Sequence, residues 1–498
     1  MEYTSLAQLA ALVGAVGALL ALIPRGRFFV MIGFGLLGAA TVALAVSLVG
    51  GDDLRLVVED PTALVGLFAG GLIVIVAAVP LVRYPAVTPV VLLAVAPFRL
   101  PVELGDEDAF LLVPLYAALA AAVVALAVRM LRGEHPPAVP FQLALPIAAF
   151  ATFASISLLW TWDERAGGIA LAFFLFPFVA GLGVVARAPL APWLPRALVS
   201  TLAALGCLFA VVGLWQVHTR TLFFSQGLEV ANAYTTFFRV TSLFKDPSLY
   251  GRYLVVPIVV LLVVLLARRT RPVVSVAVVA IVAFLFVGLF FSYSQSSFFA
   301  LFATTAALAF VAGDRRFRIA LVACAVAATL TAGAVAATAI EGRSARDVTS
   351  GRSRLVSITL DAARLRPVAG VGIGGQPRAS SEANDRRTPR RSASHTAPLT
   401  VLAELGAVGF ALYVWLLVAV GWALIRIGRV ERTFALGLAA VLSVIFVHSL
   451  LYAAFFEDPL TWGAIGLIAA LLTRTTAAAN EPASAVEDAP QAPGVLAH

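Results

Sequence analysis

Residues 272–291 read PVVSVAVVAIVAFLFVGLFF, twenty residues without a charge. About 20 apolar residues in helical form cross a hydrocarbon core of roughly 30 Å. The run is continuous rather than alternating, so it is not a strand of an outer-membrane barrel. It is one of many. Working outward, similar runs cover 6–24, 28–49, 62–82, 84–98, 110–131, 141–160, 168–186, 197–217, 249–267, 296–312, 319–340, 398–424, 433–453 and 459–473. The chain is 61% hydrophobic and 12% charged, with mean hydropathy +0.98. A soluble core could not hide that much apolar surface. The expected fold is all-α, a polytopic transmembrane helical bundle of about 12–15 spans.

The organisation follows. Residues 1–474 form the membrane domain. A polar segment, 341–397, is inserted between spans and is expected to be a large extracytoplasmic loop with short amphipathic helices. Residues 475–498 are rich in Ala, Pro and Glu and are expected to be a disordered tail. The first apolar run has no basic stretch before it, so it reads as a first span and not as a cleaved signal. Cys207 and Cys324 both lie inside apolar runs, as packing residues.

Loop charges set the expected orientation. Arg25/Arg27, Arg83, Arg129/Arg132, Arg187/Arg196, Arg268/Arg269/Arg271, Arg315/Arg316/Arg318 and Arg426/Arg429/Arg432 form the basic connections. Asp52/Asp53/Glu59/Asp60, Glu103/Asp106/Glu107/Asp108, Asp163/Glu164/Arg165 and Glu457/Asp458 form the acidic or mixed ones. The two classes alternate. The basic set should face the cytoplasm, which leaves 218–248 and 341–397 outside. The second of these carries eleven Arg, five acids and one His, against the positive-inside trend. Its cations therefore call for a purpose other than orientation. Net charge is +8 and Lys245 is the one lysine, so nearly every cation is a planar guanidinium suited to phosphate. His448 is the one ionisable group placed within a run, and ion-coupled transporters usually carry more.

Four segments could carry chemistry. The first runs from Arg239 through Lys245-Asp246-Pro247-Ser248 to Gly251-Arg252-Tyr253, at the start of a span. Asp246 or Ser248 can cap the helix and Pro247 suits its first turn. A helix N-terminus there offers N–H groups to an anion, with Arg239, Lys245 and Arg252 close by in sequence. The second is Ser292-Tyr293-Ser294-Gln295-Ser296-Ser297, a polar turn between two apolar runs. In the third, Gly351-Arg352-Ser353-Arg354 opens a helix with Leu355, Ile358, Ala362 and Leu365 on one stripe. Pro367 ends it. Such a basic amphipathic helix suits an anionic bilayer surface. Gly370-Val371-Gly372-Ile373-Gly374-Gly375 follows. It lacks the βαβ context of a nucleotide site, so its glycines serve tight turns and close backbone approach. The fourth is Ser394-His395, leading to Glu404-Leu405-Gly406. His395 stands among cations that would keep it a neutral base, and Glu404 could orient loop groups from below.

In this order the segments resemble the O-antigen ligase/polymerase family of bacterial membrane glycosyltransferases, over about residues 141–455. Arg239 before Asp246-Pro247-Ser248 matches its Arg and Pro-containing span start. Ser292–Ser297 matches its outer serine turn, and Gly351-Arg352 through Pro367 to Gly370-Val371-Gly372 its Gly-Arg and Gly-x-Gly segment. His395 and Glu404-Leu405-Gly406 complete the set. Two departures stand out. Gln295 occupies the position where the family's turn usually has Arg, and Thr396 follows the His in place of Asn.

The resemblance implies glycan transfer from a polyprenyl diphosphate carrier to an acceptor hydroxyl, at the outer face of the plasma membrane. Arg239 would bind the diphosphate and His395 would be the general base, in an inverting reaction without metal or cofactor. Lys245, Arg252, Ser294, Gln295, Arg352, Arg354 and Glu404 are the expected substrate-binding residues. The expected partners are a polyprenyl-diphosphate-linked glycan donor, a glycan or glycolipid acceptor and membrane lipids, and not nucleic acid. A ligase and a polysaccharide polymerase of this family use the same donor chemistry. A lipid-linked sugar transporter and an anchored polymer-binding protein are the readings from other classes.

Overall fold

Twelve helices among the described residues are long and apolar enough to cross a membrane, or thirteen if one sharply bent pair counts as a span. The computed structural model describes residues 2–49, 61–104, 107–235, 237–266, 271–316, 318–319, 352–384, 393–452 and 455–480. The expected span 319–340 and the tail fall almost wholly outside them.

The helices are α1 (Glu2–Leu22), α2 (Arg27–Leu48), α3 (Pro61–Arg83), α4 (Thr88–Val95), α5 (Val113–Leu131), α6 (Phe141–Ile156), α7 (Glu164–Ala170) and α8 (Phe176–Val185). They continue with α9 (Leu194–Thr219), α10 (Gln226–Ala233), α11 (Pro247–Leu266), α12 (Pro272–Phe290) and α13 (Gln295–Ala312). After the undescribed stretch come α14 (Arg352–Leu365), α15 (Gln376–Ala383), α16 (Ala397–Gly428), α17 (Arg432–Ser449) and α18 (Pro459–Asn480). α7 and α8 join through a π turn at Leu171–Leu175 and form one span.

The structure differs from the expected spans at 84–98. α3 ends at Arg83, and the chain bends by 110° into a short helical pair ending at Val95. Tyr84, forced out of the helical region by Pro85, has φ −129° and ψ 66°. Pro85 and Pro89 then remove two of the N–H donors that would carry a straight helix through. The acidic connection that follows is an antiparallel hairpin, β1 (Leu100–Leu104) paired with β2 (Glu107–Leu111).

Helix α11 is the axis of the bundle. Every residue from Tyr250 to Leu261 is buried, as expected of a helix that is apolar on all sides. α9, α12, α13 and α17 pack around it. Its N-terminus is built as expected. Asp246 caps it, Oδ1 accepting from the Ser248 N–H at 2.6 Å, and Pro247 is its first residue. The same Asp-Pro device starts α18, where Asp458 Oδ1 accepts from the Leu460 N–H at 2.9 Å. Ser294 caps α13 by accepting from the Ser297 N–H.

The described part of the Arg-rich segment packs onto protein. Ile358 and Ala362 of α14 are buried, and Ala362 packs with Val371, Ala379 and Ala403. Leu365 remains exposed. The apolar stripe read as suited to a bilayer surface thus buries part of its face in a small core of its own.

Candidate functional site

Arg239 is the centre of the first half of the site. Asn232 holds its backbone on both sides. The Asn232 amide donates to the Arg239 carbonyl at 3.0 Å, and its oxygen accepts from the Arg239 N–H at 3.1 Å. The Arg239 Nε–H donates to the Ser292 carbonyl at 3.4 Å. Among the described residues, no carboxylate pairs with this half-buried guanidinium. It faces a pocket of about 510 Å³ shared with Ser248, Ser294, Gln295 and Ser296 and walled by aromatic residues such as Phe237 and Tyr293. The fold thus brings Arg239, Ser294 and Gln295 together. A guanidinium with no acid partner, ringed by hydroxyls and an amide, suits a phosphate-sized anion.

Behind the pocket lies a buried polar chain. Arg252 is fully buried, one turn inside α11. Its Nη1–H donates to Asp458 Oδ2 at 2.8 Å, while Nε and Nη2 stand 3.3 and 3.0 Å from His448 Nδ1. His448 Nε2 lies 3.2 Å from both Ser296 Oγ and Ser297 Oγ. Arg252 therefore sits inside the protein, behind the serine turn, and does not line the pocket. Lys245 is exposed beside the α11 cap.

The second half of the site is a knot of loop and broken helix. Helix α16 is interrupted at Gly406, which has φ 62° and ψ −164°. The freed backbone pairs with the Gly-rich segment. The Val371 N–H donates to the Ala403 carbonyl at 3.0 Å, Gly372 N–H to the Glu404 carbonyl at 2.8 Å, and Ala407 N–H to the Pro367 carbonyl at 2.8 Å. On its other side the segment meets the end of α6, with the Ile373 N–H donating to Ser157 Oγ at 3.0 Å. The backbone N–H groups of Gly374 and Gln376 serve the Glu404 carboxylate. Glu404 is thus tied to the loop through its backbone, and the glycines make the close approach.

His395 lies in the exposed turn before α16. Its neighbours tie that turn down. The Ser394 N–H donates to Gln376 Oε1 at 2.9 Å, and Thr396 Oγ1 donates to the Leu450 carbonyl at 3.2 Å, just past α17. His395 does not line the Arg239 pocket. Arg352 opens α14, and Arg354 is exposed on it, away from the described pocket wall.

Between the halves stands Tyr452, whose ring carries Arg252 at 5.8 Å and meets the His448 ring at 5.6 Å. Glu457 follows in the same turn. Its side chain is exposed. Desolvation raises its carboxyl above the ordinary value, and Arg99 and Arg252 pull it back. In the sequence Asp458 and His448 carry only topological information, and nothing marks Arg99. The isolated ionisable His448 within a span was the available signal for the network.

Residues 250–414 match the family model described as O-antigen ligase. The match supports an assignment to the O-antigen ligase/polymerase family. A comparison with curated proteins gave no match. The O-antigen ligase match covers Arg252, the serine turn, α14, the Gly-rich segment, His395 and Glu404. Arg239 lies just ahead of it, and His448 and Asp458 lie beyond it. The chain is a multi-pass membrane protein that carries an O-antigen ligase match in its second half.

Proposed function

We propose that the protein transfers a glycan from a polyprenyl diphosphate carrier to an acceptor hydroxyl at the outer face of the plasma membrane. The supporting observation is the Arg239 pocket. It offers one cation with no acid partner among the described residues, together with Ser248, Ser294, Gln295 and Ser296, a set suited to a diphosphate. A second cavity, of about 910 Å³ and mostly apolar, runs between α4, α8, α9, α11, α17 and α18. Val256, Leu460 and Trp462 form part of its wall. It offers a prenyl chain a place beside the same helices that carry Arg252 and Asp458.

In this reading the diphosphate leaves as an anion, neutralised by Arg239. The acceptor hydroxyl gives its proton to His395 and attacks the anomeric carbon from the opposite face, inverting it. The reaction as written uses no metal. Glu404 acts at a distance, by fixing the loop that precedes His395. In this reading Lys245, Arg352 and Arg354 would meet the extended anionic or polar glycan.

The test is lipid analysis of cells carrying Arg239→Ala or His395→Ala at normal protein levels. Lipid-linked glycan should accumulate and surface polymer should fall. Normal polymer from both variants would remove the reading. The same analysis of a deletion strain separates the two outcomes within the family. Single repeat units left on the carrier identify a polymerase, and long chains on the carrier identify a ligase.

A further inference from the structure

Gln295 leaves the serine turn without the arginine expected at that place, and the hydrogen-bond polarity behind it supplies a substitute donor. Arginine only donates. Arg252 points Nε and Nη2 at His448 Nδ1, so Nδ1 is an acceptor and the ring proton must reside on Nε2. Nε2 then holds the ring's one proton, so neither Ser296 nor Ser297, both 3.2 Å away, can donate to the ring. The direction is anchored at the far end by Asp458, which binds Arg252 through Oδ2 and the α18 backbone through Oδ1.

Donor counting continues the chain. Ser297 Oγ, unable to donate to the ring, passes its own proton to Ser294 Oγ at 2.9 Å or to the Ser248 carbonyl at 3.3 Å. Ser294 Oγ also accepts from the Ser297 N–H. Ser294 and Ser296 are then left facing each other at 3.1 Å with two hydroxyl protons and one mutual hydrogen bond. Whichever donates to the other, one proton remains. Both side chains are buried, with relative exposures of 1% and 3%, and both line the Arg239 pocket.

We infer that Asp458, Arg252 and His448 act as positioning residues that force one hydroxyl proton of the Ser294/Ser296 pair into the Arg239 pocket, as a donor to a phosphate oxygen. The inference rests on the diphosphate reading of that pocket. It assigns Arg252 an indirect role, through His448, in place of direct substrate contact. It also gives the pocket a second anion-directed donor that carries no charge of its own. A hydroxyl directed by a buried chain costs no reorganisation when the ligand arrives. A hydrogen bond to a charged oxygen is stronger than a neutral one.

The experiment measures binding of farnesyl diphosphate to the full chain in lipid nanodiscs, with farnesol as the uncharged control and thermal unfolding as the fold control. Ser294→Ala/Ser296→Ala should weaken farnesyl diphosphate about tenfold or more, with farnesol unchanged. His448→Leu should weaken it in the same direction. His448→Gln, which can accept from Arg252 and donate to serine, should restore most of the loss. Adding His448→Leu to the serine pair should cost little further, because the ring acts through those hydroxyls.

Equal binding by the folded serine variant and wild type overturns the inference. So does equal binding by His448→Leu and His448→Gln, which decides the matter if the serine pair does not fold. Parallel loss of farnesol would overturn it as well. Arg239→Ala separates the two claims. If it abolishes binding while the serine and His448 variants do not, the pocket reading stands and the polarity inference falls. If wild type does not bind farnesyl diphosphate, or Arg239→Ala binds it normally, the pocket reading itself falls.

Discussion

Arg252 Nη1 and Asp458 Oδ2 lie 2.8 Å apart, with neither side chain more than 2% exposed, and so join α11 to the cap of α18. Removing one partner leaves a buried charge uncompensated, at about 3–5 kcal/mol. Asp458→Asn should therefore lower the unfolding temperature steeply, while its side chain still caps α18 through an oxygen. Arg252→Met should recover much of the loss when added to Asp458→Asn, since it removes the stranded charge. Thermal unfolding of the detergent-purified chain checks this. A double variant no more stable than Asp458→Asn alone would count against it.

The helical framework was legible because a bilayer leaves a continuous apolar run such as 272–291 no alternative to a helix. The 84–98 run was misread for a local reason, since Tyr84-Pro85 breaks the helix where hydropathy alone sees continuity. The site was partly legible. Arg239, Ser294 and Gln295 stood out as polar residues between apolar runs, and they do share one pocket. Arg252 is expected among the substrate-binding residues because it follows the cap by one turn, and nothing local announces that α11 is buried from Tyr250 to Leu261. Its partners His448 and Asp458 are 196 and 206 residues away, a separation that no motif spacing spans. The break at Gly406 was likewise invisible, because Leu405-Gly406-Ala407 reads as ordinary apolar helix.

The Arg239 guanidinium makes one described hydrogen bond within the fold, from Nε to the Ser292 carbonyl. Its loss should therefore show in function and hardly in stability. Arg239→Ala should lower transfer about 10²–10³-fold, the usual effect of deleting one preorganised donor to developing charge. Arg239→Lys keeps the charge but not the planar fork, and should fall between the two. Initial rates of lipid-linked glycan turnover, beside unchanged unfolding temperatures, make the comparison. Loss of folding in Arg239→Ala would contradict it.

Glu457 gives a pH dependence whose sign can be worked out. It lies outside the spans, and desolvation raises its carboxyl above the ordinary value of 4.5 despite Arg99 and Arg252. The folded state then holds a proton that the unfolded state has already released. Stability must fall as pH rises from 4.5 through the raised value, and level off above it. Glu457→Gln should flatten that decline. Unfolding temperatures of both proteins across the acid range measure this. Parallel curves would show that the Glu457 proton is not linked to folding.

Gly406 sets the geometry on which Glu404 and the Gly-rich segment depend. Its φ of 62° lies in the region that favours glycine, and a Cβ added there would collide with the Val368 carbonyl. The left-handed backbone alone costs of order 1–3 kcal/mol for another residue, and the collision adds to it. Gly421, in the same helix, has open space where its Cβ would be. There alanine should stabilise, by roughly 0.5–1 kcal/mol. Gly406→Ala should therefore unfold at lower temperature and lose transfer activity. Straightening α16 would withdraw the Ala403 and Glu404 carbonyls from Val371 and Gly372, and shift the loop that carries His395. Gly421→Ala should match or exceed wild type in both assays. Protease cleavage within 366–376 should rise in the first variant and not in the second. Equal behaviour of the two alanine variants would mean that the break in α16 does not hold the loop in place.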